Sequence, residues 1–360
     1  MASELFCCEA CFEDFFLKRF LVAYGVSSTC SFCKKPSNYC LPPSELRELF
    51  TPLLGLYVPL EDVMPMDMLK QKENGSVFWE ILRDDWSIFS GVHAQEEQLV
   101  RAILNDLSDE VGPPRELEVW LEPVRDWGGS KPKDVDLNAL WDEFSGELRS
   151  ENRFFSKKAI EIGIFVRLFQ KLEFKIEKGA KLFRARNSYE QNRKFNPDEM
   201  GKPPAEKTKN GRANPIGISY LYLASNQKTA IAEIRPSLAD PVTVAEFESM
   251  EDMTLIDLRD VSPFQFVDDE DFDNLIVDIG FLIKLGNDLS RPINPRDAGL
   301  AYLPTQYLCE MIKSEGWDGV VYRSSLAGGY NVALFSDAKV RIARTDFFKI
   351  TKTDLEYVPA

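Results

Sequence analysis

The stretch "KNGRANPIGISYLYLASNQKTAIAEIRP", Lys209 to Pro236, sets Arg212 and Glu233 on either side of one apolar segment. A guanidinium grips phosphate oxygens through a rigid fork of N–H donors, and a carboxylate stabilises a developing positive charge. These residue types suit a pocket for a phosphorylated ligand, with the carboxylate placed to meet a developing cation. They equally suit a strand followed by a helix, with its charges at the solvent ends. Upstream, "KLFRAR" reads as a strand with Arg184 and Arg186 on one face, because strand residues two apart point the same way. His93 is the single histidine. That removes most Ser-His-Asp, Cys-His and multi-histidine metal chemistries. His93 itself, just before "AQEEQLVRAIL", reads as a surface or capping residue.

A second constellation lies at the N-terminus. Cys8-x2-Cys11 is followed after 18 residues by Cys30-x2-Cys33. Two such pairs form two tight knuckles whose four thiolates can surround one tetrahedral ion, which points to a structural zinc site with no open position. Four buried apolar cysteines are the alternative. Between the pairs, Phe12, Phe15, Phe16, Phe20 and Ala23 fall at helical spacing and Gly25 suits a stop. Cys8 and Cys11 are then expected at that helix's N-terminal end, where the dipole favours thiolate. Cys7 and Cys40 are reserve ligands, and Cys309 reads as core.

The elements that must position these residues follow from periodicity and breaks. From Pro42 to about Leu172 the pattern is mostly helical, with "SVFWEILRDDW" and "EEQLVRAILNDL" at i, i+3, i+4 spacing. Breaks fall at Val111–Pro114 and Asp126–Asp134. A third helix runs through "KKAIEIGIFVRLFQKL" and is expected to end near Gly179. Beyond Lys181 strands dominate. "SYLYLAS", "VTVAEFE", "MTLIDL", "WDGVVYRS", "YNVALFS" and "AKVRIA" read as strands. "NQKTAIAEIR", "EDFDNLIVDIGFLIKL" and "LPTQYLCEMIKSEG" read as helices, the first capped by Ser225 or Asn226. The fold class is α+β. Three segments are expected: a zinc knuckle over 1–41, a helical domain over 42–178 and a chemistry-bearing domain over 179–360. No dinucleotide or Walker phosphate loop is present.

The formal charge is 43 − 58 = −15, which argues against general nucleic-acid or membrane binding. Charge is unevenly spread. Glu151–Arg212 holds 16 Lys/Arg against 8 Asp/Glu, and Pro236–Asp278 holds 13 Asp/Glu against one Arg. These segments form either an anion pocket or, as the default, two complementary packed faces. No apolar run of about 18 residues exists, so no membrane span is expected. The acidic start carries no secretory signal, and seven Cys are too few for a disulfide scaffold, so a reducing cytoplasmic setting fits.

"LFRAR", "GRANPIG", "LYLAS", "TAIAEI" and "DGVVYRSS…GGYNVALF" together resemble the RES domain, over roughly Lys181 to Arg344. The Cys-rich start and following helices resemble the HEPN/RES-associated N-terminal domain. The HEPN ribonuclease pattern, an Arg with a His five residues later, is absent. The resemblance implies an ADP-ribosyltransferase-like fold that cleaves the nicotinamide–ribose bond of NAD, with water or phosphate, in the manner of NAD-depleting toxins. It implies Arg184 as the name-giving arginine, with Arg186 beside it, and Arg212 as the second. Tyr222 is implied as the strand tyrosine, placed to stack on nicotinamide or ribose, and Glu233 as the glutamate. Ser324 is implied as the serine, hydrogen-bonding the carboxamide or a phosphate, with Ser325 as its rival. Ala213 stands where the family usually has an aromatic. Such activity harms its host, so an antitoxin or immunity partner, assembly into a homo-oligomer, or cover by the N-terminal domain is expected. Transfer of ADP-ribose to a macromolecule and a non-catalytic zinc- and ligand-binding module are the competing readings.

Overall fold

The computed structural model describes residues 4–59, 62, 76–89, 93–104, 121–123, 136–156, 162–189, 192–292 and 298–352. The chain gathers into two compact units, Met1–Val135 with Ser262–Ile279, and Asp136–Val261 with Gly280–Ala360. Residues 136–178, grouped by sequence with the helical region, thus lie in the second unit.

The first unit opens on β1 (Cys7–Cys8), a 3-10 turn (Glu9–Cys11), α1 (Phe15–Tyr24), β2 (Val26–Thr29) and β3 (Pro36–Leu41). The strands pair antiparallel in the order β1-β3-β2. The expected helix exists but starts later, because Asp14 captures its N-terminus by accepting from the Leu17 N–H at 2.9 Å. Cys8 and Cys11 therefore do not sit at a helix start, and the dipole does not act on them as expected. The buried face is Leu17 and Leu21, while Ala23 is exposed. Gly25 does end the helix, with φ −74°. Its role is close approach: a Cβ there would lie 2.5 Å from the Leu21 carbonyl oxygen and 2.6 Å from the Tyr39 backbone.

The first unit continues through α2 (Arg47–Leu54), β4 (Tyr57–Pro59), α3 (Phe78–Asp84), α4 (His93–Leu104) and β5 (Leu121–Pro123), with β4 and β5 antiparallel. α3 and α4 match the periodic runs, and His93 opens α4. The end of the second run and both expected breaks lie outside the described residues. Phe264, from the later segment of this unit, packs on Phe50 at 4.9 Å and Phe16 at 6.3 Å between ring centroids.

The second unit comprises α5 (Leu137–Ser150), α6 (Ile162–Gln170), β6 (Glu173–Ile176), β7 (Lys181–Asn187), β8 (Leu221–Ala224), α7 (Gln227–Glu233), β9 (Pro241–Ser249), β10 (Met253–Asp257), α8 (Ile279–Ser290), α9 (Leu303–Ser314), β11 (Gly319–Arg323), β12 (Tyr330–Leu334) and β13 (Val340–Lys349). The third helix stops at Gln170, short of Gly179. Residues 173–176 pair instead with β10, and Gly179, at φ +87°, makes the turn into β7.

One sheet runs β13-β9-β7-β8-β12-β11-β10-β6. Every neighbouring pair is antiparallel except β10–β11, which needs the helical crossover through α8 and α9. Alternation places Leu182, Leu221, Leu223, Phe247, Leu255, Val321, Val332 and Leu334 in one apolar layer. On the other face Ala185, Ala224 and Val244 are small enough for α7 to lie close, through Ala230 and Ile231. Trp141 (α5), Phe165 (α6) and Phe281 (α8) meet edge to face at 5.5–6.3 Å. Two of the basic segment's lysines pair with the acidic segment, Lys175 with Asp252 at 2.7 Å and Lys181 with Glu246 at 2.9 Å, so part of the charge asymmetry is packing.

Candidate active site

Strand register brings the polar residues of the second unit together. Tyr322 of β11 lies opposite Asn331 of β12, Asn331 opposite Ala224, and Ala333 opposite Tyr222 of β8. Directly paired residues share a face, so Tyr222, Tyr322 and Asn331 line the same side as α7. α7 is started by Asn226, whose Oδ1 accepts from the Thr229 N–H at 2.9 Å. It is stopped after seven residues by Arg235, left-handed at φ +46°, and then Pro236.

Glu233 thus occupies the last turn of a helix, where the dipole opposes negative charge. Two donors answer this. Glu233 Oε1 accepts from Ser324 Oγ at 2.7 Å and from Asn331 Nδ2 at 2.7 Å. Ser324 Oγ in turn accepts from the Leu326 and Ala327 N–H groups, both at 3.2 Å. A hydroxyl has one donor and two acceptor sites, so Ser324 is fully engaged. Glu233 Oε2 takes no hydrogen bond from the described residues. Ser325, its rival, is exposed. The β11–β12 hairpin that carries Ser324 and Asn331 is held against the start of α7 by Gly329, where a Cβ would lie 2.3 Å from Thr229 Oγ1.

Arg184 and Arg186 share a face of β7, as strand alternation requires. The Nη1 of Arg186 donates to the Glu199 carbonyl, and its guanidinium lies 5.8 Å from the Phe195 ring centroid. Arg184 differs: its Nη1 is buried and meets no partner among the described residues. Burial pushes its pKa down to about 10, with Arg186 adding to the fall and Tyr222 opposing it. It therefore remains charged at neutral pH, a half-buried cation with no anion paired to it among the described residues.

β7 and β8 pair at Phe183↔Ala224 alone. β7 continues to Asn187 and β8 reaches back to Leu221, so the sheet parts beside Arg184 and Tyr222. Arg184 has the opposite strand parity to Tyr222, but it stands at the apex of this gap.

The "GRANPIG" loop is pegged in place rather than open. Tyr222 Oη donates to Asn214 Oδ1 at 2.6 Å and accepts from the Ala213 N–H at 3.2 Å. Asn214 Nδ2 donates to the carbonyls of Lys209, Pro215 and Ile218. Gly211 has to lack a side chain, since a Cβ would lie 2.5 Å from Tyr222 Oη. Thr305 and Gln306 of α9, both buried, bind the carbonyls of Arg212, Gly211 and Asn214. Arg212 spends its Nη1 on the carbonyls of Leu289 at 3.1 Å and Arg291 at 2.7 Å, closing the C-terminal end of α8. Its Nε and Nη2 make no hydrogen bond to the described residues. The buried Tyr322 phenol feels the whole group: burial raises its pKa most, Tyr222 and Glu233 add to the rise, and Arg212 opposes it.

Sequence reasoning missed Asn331, Tyr322, Thr305 and Gln306 as parts of this constellation. Asn331 had a signal, as the lone polar residue inside the apolar run "YNVALF".

In the first unit, Cys8, Cys11, Cys30 and Cys33 place their sulfurs within 4.8 Å of one another, an arrangement that could hold a metal ion. The Sγ–Sγ distances are 4.0 Å for Cys8–Cys11, 3.5 Å for Cys8–Cys33 and 3.4 Å for Cys11–Cys30. The Phe32 and Cys33 N–H groups both donate to Cys30 Sγ at 3.4 Å. Cys7 and Cys40 stay outside, donating to the carbonyls of Leu41 and Ser28. Cys309 is buried in α9, and burial pushes its thiol pKa up.

A family model described as "RES domain" matches residues 181–356. No curated protein sequence matches the chain. Among solved structures, a chain of the M. tuberculosis MbcT-MbcA toxin-antitoxin complex aligns at 13% identity and a TM-score of 0.31. It covers 54% of this chain and 94% of its own, a likeness too loose to argue from.

Tyr222→Phe would leave Asn214 Oδ1 and the Ala213 N–H buried without a partner. It is expected to cost about 1–3 kcal/mol of stability, measured by denaturant unfolding.

Proposed function

We propose, from the match of residues 181–356 to the RES domain family model, that the chain cleaves the nicotinamide–ribose bond of NAD, by hydrolysis or phosphorolysis, on an ADP-ribosyltransferase-like scaffold. The observation that carries the reading is Glu233, with Oε1 held by Ser324 and Asn331 and Oε2 left open. The C–N bond breaks with its electron pair passing to the pyridinium nitrogen. Nicotinamide leaves neutral, so no general acid is needed, which suits a site without histidine. The ribose becomes oxocarbenium-like, and Glu233 Oε2 stabilises that charge and binds ribose hydroxyl. Water or phosphate then attacks the anomeric carbon; water gives up its proton as ADP-ribose forms, and phosphate yields the ADP-ribose phosphate.

Arg184 is the proposed anchor for the pyrophosphate, because an anion relieves the cost of its buried Nη1, which has no partner among the described residues. Arg186 extends the cationic face. Arg212 retains Nε and Nη2 for a phosphate oxygen, while its Nη1 positions α8. Ser324 acts through Glu233, since its own hydrogen-bonding capacity is filled. Tyr222 serves the fold of the loop through its hydroxyl and leaves its ring face for substrate.

The four cysteines are proposed to hold a structural zinc. A tetrahedral site with Zn–S of about 2.3 Å has sulfur–sulfur edges of about 3.8 Å, close to the distances given above, and four thiolates leave no position for catalysis. A toxin-like role, with a restraining partner protein of the antitoxin kind, follows from the damage that unregulated NAD loss does to a cell. Among the described residues no helix is long and apolar enough to cross a membrane.

Glu233→Gln is expected to lower kcat about 10²–10³-fold, measured by mass spectrometry of NAD products with and without phosphate. Wild-type-like turnover in that variant would end the catalytic assignment. Adenine-labelled NAD separates free product from transfer to a macromolecule. Arg184→Ala is expected to raise KM about tenfold with a smaller change in kcat. Elemental analysis is expected to find about one zinc per chain. Chelation should then lower the melting temperature of the full chain, and an unchanged melt would make the cysteines mere core.

A further inference from the structure

Asn331 does something beyond holding Glu233. An ionised carboxylate offers acceptors only, so the Asn331 amide has to turn Nδ2, not Oδ1, toward Glu233 Oε1. Its Oδ1 is thereby directed elsewhere. No described residue donates to that oxygen, although Asn331 is only 5% exposed. Glu233, half-buried, likewise has no donor to Oε2 among the described residues. One hydrogen-bonded amide–carboxylate pair thus carries two acceptor oxygens, neither with a donor among the described residues, on the face lined by Tyr222 and Tyr322. Acceptors without a protein donor are open to a ligand's donors, and a pair of them is matched by two neighbouring donors on one ligand.

We infer that Asn331 is a specificity-determining residue that, with Glu233, accepts hydrogen bonds from the vicinal hydroxyls of a ribose, Oε2 taking one and Oδ1 the other. This rests on the reading of the site as one that cleaves NAD. The pair demands a cis-diol: a deoxyribose leaves one acceptor buried and unpaired, which is the strongest form of selection a polar site has. It also gives Asn331 two tasks at once. Nδ2 orients the carboxylate, and Oδ1 reads the sugar.

The experiment uses the full chain and three substrates: NAD, and analogues lacking the 2-hydroxyl or the 3-hydroxyl of the nicotinamide-bearing ribose. Wild type is expected to lose about 100-fold or more in kcat/KM on either analogue. Asn331→Ala is expected to lose about 10- to 100-fold on NAD and to discriminate no further against one of the two analogues. Asn331→Ser, too short to reach the sugar but still polar, replaces it should the alanine variant fail to melt cooperatively. A folded variant that keeps the wild-type discrimination against both analogues overturns this inference and leaves NAD cleavage standing. A wild type inert toward NAD overturns NAD cleavage and this inference together.

Discussion

A carboxylate at the wrong end of a helix is the constraint on which the second unit turns. Glu233 lies in the last turn of α7, where the helix carbonyls repel it. Nothing in local sequence favours that placement. It is sustained by two donors from one hairpin, Ser324 at the end of β11 and Asn331 in β12. The hairpin reaches Glu233 because Gly329 lets it approach the other end of the same helix. The helix lies close to the sheet because Ala185, Ala224 and Ala230 are small. Packing, turn and hydrogen bonds therefore converge on one oxygen, and its twin is left open.

The second organising feature is the parting of the sheet. After Phe183↔Ala224 the ladder stops although both strands continue. Such a gap leaves backbone groups without ladder partners and stands beside the buried, unpartnered Nη1 of Arg184, both unfavourable by themselves. The cost is met by rigid surroundings. The loop beside the gap is pinned by Tyr222, Asn214, Thr305 and Gln306, and Arg212 fastens it to α8. A loop with so many internal bonds is held in one shape, so for the proposed ligand its contacts would be largely preorganised.

The cysteine cluster obeys a separate logic. Its two knuckles belong to a small three-stranded sheet with few apolar residues, where a metal, if bound, would add stability that a small apolar core does not. Its geometry is set by spacing within each pair and by the N–H···S bonds at Cys30.

Periodicity determined most elements, since 3.6- and 2-residue patterns are local: α3, α4 and α9 and the strands β7 to β12 lie where apolar spacing put them. Local chemistry also picked out the four cysteines that cluster, Cys8, Cys11, Cys30 and Cys33, and the placing of Arg184 and Arg186 on one face. Ends were less legible. Asp14 stole the start of α1, and β6 cut short the helix before Gly179, because each was settled by a partner, a backbone N–H or β10, that periodicity does not reveal. Within the site, the residue types of Arg212 and Tyr222 were visible but their work was not. Only the fold showed that Arg212 Nη1 closes α8 and that the Tyr222 hydroxyl pegs a loop. Asn331 and Glu233 are 98 residues apart, and no local rule could join them. Sequence alone settled which groups were available; the strand register of β8, β12 and β11 decided which of them meet, because hydrogen bonds are short and direction-bound and only the tertiary fold brings distant atoms within their reach.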